Sequence, residues 1–388
     1  MSRPPIVNTH VHVPPNFSAF TTPGDVVATA KAEGVRALGI SNFYDQQVYE
    51  RFAGLCAEAG IVALFGLEFI TLIDDLEARG IRINDPANPG RMYLCGKGIS
   101  PFKEKSAEAA ATSAAIRQGN DRRASAMVSQ LAGHLRSVGV ANDLSAALVA
   151  GQVAARGDVP VAWVSLQERH VARAVQEVAA ASSDPSATLA AAFGGPAKSD
   201  PHDAVGVQGE VRSRLIKVGT PGFVAEVPLS FQEAYDYVLA MDGIPCYPTL
   251  ADGVDPVCPF ESDPDALAAE LLSRGIHAAE LIPIRNTGAE VDRYVKAFTD
   301  AGLIVMAGTE HNTLDRIPFD PACVDGPVSD VVRQAFWEAT CIVAAHQARV
   351  ADGQPGFVDA AGTLIATSRG ADDHRAALVA EGAAIING

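Results

Sequence analysis

Short apolar runs alternate with amphipathic stretches along most of this chain, the rhythm of successive βαβ units. In the first run, Pro5 to Pro15, Val7, Val11 and Val13 fall on one face of a strand while Asn8, His10 and His12 fall on the other. The closing pair of prolines cannot donate to a ladder and ends that strand. The spacing then predicts a helix from Pro23 to about Gly34, a strand over Val35 to Ile40, and a helix over Asp45 to Ala59 stopped by Gly60. A nearly continuous apolar strand follows over Ile61 to Phe69 and carries Glu68 at its end. A fourth strand near Met92 to Cys95 runs into Gly96-Lys97-Gly98.

From about Pro101 to His202 the rhythm changes. Helical periodicity over Asp121 to Val138 and Glu168 to Ala181 predicts a helical cap, residues 101–204, inserted between strands four and five. The stretch Ser182 to Asp203, with its Asp-Pro and Gly-Gly-Pro turns, reads as a mobile loop within that cap. Ser230 is an N-cap for a helix through Ala240. Strands are then predicted at Gly243 to Tyr247, Ala278 to Ile284 and Leu303 to Ala307, separated by helices at Pro264 to Arg274 and Ala289 to Ala301. The expectation is therefore an α/β fold, a distorted barrel of seven strands built from residues 1–100 and 205–346. A helix over Val328 to His346 completes it, and residues 347–388 add a hairpin and a terminal helix packed on the barrel.

Charge and composition narrow the partners. With 30 basic against 46 acidic residues the formal charge is −16, and no Lys/Arg run could track a phosphate backbone, which argues against nucleic acid. No segment reaches the about 18 consecutive apolar residues of a membrane span, and the N-terminus has no signal-like pattern, so a cytoplasmic chain off the membrane is expected. The six cysteines are scattered without C-x-x-C spacing, the pattern of reduced, structural thiols. A homo-oligomer stays open.

In parallel α/β sheets the chemistry gathers at the C-terminal strand ends. There the chain places His10 and His12, Glu68, Lys97, and the Gly308-Thr309-Glu310-His311-Asn312 turn. Imidazole and carboxylate suit one or two divalent ions, Zn, Mn or Fe. Two histidines sharing a strand by chance is the competing reading. Neighbours on an extended strand face oppositely, so one of Glu310 and His311 is expected to ligate while the other supports a ligand from behind or serves as acid or base. Lys97 reads as an anion contact or nucleophile, or as a lysine in a turn. His170 and Arg173 share a helical face and could grip an anion, or simply be solvated. Tyr247, Glu280 and Arg285 at strand ends are candidate pocket residues, against core-tyrosine and salt-bridge readings, and Arg82, Asn84 and Arg91 in a Pro- and Asn-rich loop above the barrel mouth read as substrate contacts or solvated polar groups.

Thr9-His10-Val11-His12, the run Ala59-Gly60-Ile61 through Gly66-Leu67-Glu68, the helix Glu168 to Ala174 and the segment Leu303 to Asn312 together resemble motifs of the polymerase-and-histidinol-phosphatase (PHP) superfamily. The resemblance covers about Pro5 to Ser100 and Gln167 to Thr313. It implies a (β/α)7 TIM-like barrel with metal on His10, His12, Glu68 and Glu310 or His311. Lys97, His170 and Arg173 would then position a small anionic substrate. The chain departs from the family pattern at Ser41-Asn42-Phe43, Tyr93, Cys246-Tyr247-Pro248 and the closing Glu310-His311, which implies a reduced metal site. A metal-dependent hydrolase of a small anionic substrate, a phosphoester among the candidates, is the leading expectation. The alternatives are an isomerase or lyase of a sugar acid, and a ligand-binding barrel without catalysis.

Overall fold

The computed structural model describes residues 3–99, 102, 106–366 and 370–388. Seven strands form the barrel, taken in chain order around the sheet: β1 Ile6–Val11, β2 Val35–Ile40, β3 Val62–Leu72, β4 Arg91–Lys97, β5 Ile244–Thr249, β6 Ala278–Leu281 and β7 Ile304–Ala307. A two-residue strand, Leu229–Ser230, adds beside β3. The circle closes through backbone bonds across the first and last strands. Thr309 N and Glu310 N donate to His10 O at 3.1 and 2.9 Å, and His12 N donates to Glu310 O at 2.8 Å. That approach requires Gly308, where a Cβ would stand 2.2 Å from the Cβ of His10.

One strand breaks the parallel rule. β4 is antiparallel to both neighbours, with Gly66 opposite Lys97 and Leu72 opposite Arg91 on β3, and Cys95 opposite Cys246 on β5. Its N-terminal end therefore shares the barrel mouth with the C-terminal ends of the others. The expectation that Lys97 projects at the mouth is corrected: Lys97 lies one layer below Glu68, and Arg91 takes the mouth position.

β6 also stops short of the predicted Ile284. Pro283 cannot continue the ladder and opens a 3-10 turn over Pro283–Arg285, which swings Arg285 toward the mouth.

The segment between β4 and β5 is helical and has its own apolar core. Met127, Leu131 and Leu135 from the helix Ala107–Ser137 pack there with Val171 and Val175 from Glu168–Ala180 and Leu189 from Pro185–Phe193. The boundary expected at 101 lies outside the described residues. At the other end, Val207, Val211 and Leu215 belong to the same core, so the helical layer runs past residue 204. The stretch read as a loop, Ser182 to Asp203, holds the helix Pro185–Phe193. Asp184 caps it by accepting from Ala187 N at 2.9 Å, Pro185 is its first residue, and Gly194 ends it in the left-handed region. Asp, Pro and Gly serve helix ends as well as turns.

The remaining chain forms the helix Asp330–Ala351, an antiparallel bridge between Val358 and Leu364, and the helix Ala371–Asn387. Among the described residues, no helix is long and apolar enough to cross a membrane.

Candidate metal centre

β1 delivers His10 and His12 to the barrel interior and β3 delivers Glu68, all three buried. Glu68 Oε2 stands 3.7 Å from His10 Nε2 and 3.3 Å from His12 Nε2. None of these three atoms has a hydrogen-bond partner among the described residues. A buried polar atom left unpaired costs about 1–3 kcal/mol, so three of them converging on one point mark a place for a common ligand. Donors about 2.1 Å from a tetrahedral metal stand roughly 3.4 Å from one another, and the observed separations bracket that value. The residues fit a divalent ion.

Partners behind the rings set which nitrogens face that point. His10 Nδ1 lies 2.7 Å from Glu280 Oε2, and a carboxylate held ionised can only accept, so Nδ1 carries the proton and Nε2 presents its lone pair. His12 Nδ1 lies 3.0 Å from Asn16 Oδ1, an oxygen that also accepts from Gln167 Nε2 at 2.9 Å, with the same consequence. Phe43 stacks on the His12 ring at 5.3 Å.

Glu280 is fully enclosed. Burial pushes its carboxyl up, but Lys97 and His10 outweigh burial and hold it at about 2. Its Oε1 accepts from Lys97 Nζ and Thr9 Oγ1, each at 2.8 Å. Lys97 Nζ also donates to Thr9 O and Ser41 Oγ, each at 3.1 Å. Burial pulls the Lys97 ammonium down while the Glu280 carboxylate raises it, and the carboxylate prevails. The expected catalytic Lys97 is thus a positioning residue with all three donors engaged, because the reversed β4 turns it into the barrel.

The closing turn corrects the reading of Glu310 and His311. Both adopt the left-handed region, φ 57° and 53°, so the alternation of an extended strand does not apply. His311 is turned away from the cluster: Nδ1 pairs with Thr309 Oγ1 at 2.8 Å, Nε2 with Ile317 O at 2.9 Å, and the ring stacks on Phe319 at 4.6 Å. Neither nitrogen is free for a metal or a proton transfer. The Glu310 carboxylate is gripped by Arg285, Nη1 to Oε1 at 3.0 Å and Nη2 to Oε2, and by Asn312 Nδ2. Burial raises its pKa, Arg285 lowers it, and the net direction is down. It stands beside the cluster rather than in it.

Three further expectations are also corrected. His170 Nδ1 accepts from Gln167 N at 3.1 Å at its own helix start, and burial drives the ring to about 3. Arg173 pairs with Glu177 at 3.0 Å. Both residues line a separate hollow of about 50 Å³, outside the metal cluster. Tyr247 is in the core, where its hydroxyl donates to Glu261 Oε1 at 2.8 Å.

Above the cluster, between barrel mouth and helical insert, lies a cavity of about 510 Å³ reached by His12, Glu68, Arg91, Arg285 and Glu310. Most cations around it are matched: Arg91 with Glu226 at 3.4 Å, and Arg123 and Lys217 with Glu168 at 2.6 and 3.1 Å. Arg169 differs. It lines the same cavity and, among the described residues, makes no ion pair. Burial and the adjacent Arg212 lower its guanidinium to about 10. Helical periodicity misses Arg169 because it singles out the face shared by His170 and Arg173, whereas Arg169 occupies the face turned to the cavity. Asn16 was missed as well, and its only sequence signal is its closeness to the Pro14-Pro15 turn.

Neither a family model nor a curated protein matches the sequence. Solved structures do. An amidohydrolase from Chromobacterium violaceum, solved with bound sulfate and no metal, aligns at 17% identity over 85% of this chain and 96% of its own, with a TM-score of 0.54. A Bifidobacterium adolescentis protein provisionally assigned as a metal-dependent phosphoesterase aligns at 14% identity over 87% and 97%, with a TM-score of 0.57. At these identities the likeness concerns the fold: this chain has the barrel architecture of those two proteins.

Proposed function

We propose that this chain is a metal-dependent hydrolase of a small anionic substrate, with a phosphoester as the first candidate. The observation that carries this reading is the convergence of His10 Nε2, His12 Nε2 and Glu68 Oε2, three buried donors with no partner. Three protein donors leave coordination open to water or substrate, the mark of a catalytic rather than a structural ion. His10, His12 and Glu68 would hold the ion, with Glu280 and Asn16 fixing the rings. A divalent ion there supplies Lewis acidity and acidifies water. Arg169, which makes no ion pair among the described residues, binds the anionic group of the substrate, while Arg285 is held by Glu310 and shapes the cavity. Glu310, held ionised by Arg285 and Asn312, lines the cavity beside the cluster and fixes Arg285 there. The helical insert covers the mouth and limits water around the reacting group. Both similar structures carry hydrolase names, which supports a hydrolase in general, and the Bifidobacterium one, provisionally assigned as a metal-dependent phosphoesterase, supports the metal and phosphoester part.

The test is metal analysis of the purified protein followed by a screen of phosphoesters with chelator, then with Zn, Mn or Fe restored. Phosphate release that disappears on chelation and returns with metal is the expected result. Turnover of hydroxy or keto sugar acids without phosphate release would replace the hydrolase with an isomerase or lyase. No bound metal under any condition would sink the proposal.

A further inference from the structure

Two groups of metal-capable side chains share His10: His10, His12 and Glu68, and His10, Cys95 and Glu280. They differ in what already satisfies them. The first has three unpartnered donor atoms. In the second, both Glu280 oxygens are taken, and the space beside them is filled by the Lys97 ammonium. That ammonium has a complete shell of three oxygens, Glu280 Oε1 at 2.8 Å and Thr9 O and Ser41 Oγ at 3.1 Å each, matching its three N–H donors. Lys97 is 2% exposed and Glu280 0%. A buried carboxylate at the barrel centre requires a counter-cation, and here the chain carries its own.

We propose that Lys97 acts as a built-in substitute for a second metal ion, so that the centre holds one divalent ion at His10, His12 and Glu68. A second divalent ion at Glu280 would meet the ammonium at close range and would find its oxygen donors already occupied. Removing the ammonium while keeping Glu280 leaves an uncompensated carboxylate grouped with Cys95 and His10, whose thiol and imidazole are donor types that bind zinc. This inference rests on the proposed metal reading of the first cluster.

The experiment counts zinc per chain by mass spectrometry after dialysis against zinc chloride at buffered free concentration, with folding checked by circular dichroism. His12→Ala fixes the background from surface sites. The wild type is expected to hold one ion above that background, Lys97→Ala two, and Lys97→Arg one. Two ions in the wild type or in Lys97→Arg overturn the proposal whether or not the alanine variant folds. A folded Lys97→Ala with a single ion overturns it as well. A wild type that binds none removes the metal site itself, a failure distinct from a wrong count.

Discussion

Glu280→Gln is the most informative perturbation, because one oxygen-for-nitrogen exchange acts on two interactions of known geometry. The carboxylate accepts the Nδ1 proton of His10 at 2.7 Å and the Lys97 ammonium at 2.8 Å. A glutamine cannot accept on both sides with its amide nitrogen. If it turns NH₂ toward His10, the imidazole shifts its proton to Nε2, and the lone pair facing Glu68 is lost. Loss of such an orienting partner costs about 10–100-fold in metal affinity. The second effect is on stability. Lys97 is left buried without its counter-charge, and breaking a buried pair from one side costs about 3–5 kcal/mol. Zinc affinity is read by competition with a chromophoric chelator, and stability by denaturant unfolding of the metal-free protein. An affinity within twofold of wild type, with the stability loss present, would refute the claim that Glu280 orients His10. An unchanged stability would refute the claim that Lys97 and Glu280 are a buried, mutually dependent pair.

Other expectations separate functional from structural groups. Arg169→Ala should raise KM for an anionic substrate by about 10–100-fold, the worth of one lost charge-assisted bond of about 1.5–3 kcal/mol, with zinc content unchanged; an unaltered KM would remove Arg169 from substrate binding. His311→Gln should leave the zinc count at the wild-type value, because both ring nitrogens are already engaged by Thr309 and Ile317; loss of metal would return His311 to the ligand set. Glu261 is fully enclosed and burial raises its carboxyl to about 7 from an ordinary 4.5, against the bonds from Tyr247, Leu250 and Ala251. The folded chain thus keeps that proton where the unfolded chain has released it, so stability falls as pH rises from about 4.5 to 7, by roughly 3 kcal/mol. Glu261→Gln should flatten that slope in unfolding curves taken across the window.

The parts of the centre that could be read in the sequence are those where local chemistry determines side-chain direction. His10 and His12 share a face because β1 is extended, and Glu68 reaches the same point because the apolar run holding it is a barrel strand. Lys97 and the closing pair were misplaced for reasons a single chain hides. The direction of β4 is set by its pairing with β3 and β5, and nothing between Arg91 and Lys97 encodes it. The left-handed turn at Glu310 and His311 arises where the last strand must bond to His10 and His12 across the closing seam, a tertiary demand on residues that otherwise favour extended backbone. The helix at Pro185–Phe193 was hidden for another reason, since Asp-Pro before it and Gly-Gly after it are shared by loops and helix ends.

Electrostatics ties the insert to the metal cluster. The chain as a whole is strongly acidic, yet the cavity lining is close to balance, with six guanidinium or ammonium groups against five carboxylates. Five of those cations are paired, Arg91 with Glu226 at 3.4 Å, Arg123, Lys217 and Arg212 with Glu168 at 2.6, 3.1 and 3.6 Å, and Arg285 with Glu310, so they contribute shape more than attraction. Among the described residues, only the unpaired Arg169 is left to offer a positive charge, one against the about two negative charges of the proposed phosphate group. A divalent ion held by His10, His12 and Glu68, as proposed, would supply the rest from the barrel side of the same cavity. On the proposed reading, anion capture would depend on both halves of the molecule at once: the barrel would hold the ion, and the insert would provide Arg169, the one cavity cation among the described residues whose charge is not already spent on a neighbour.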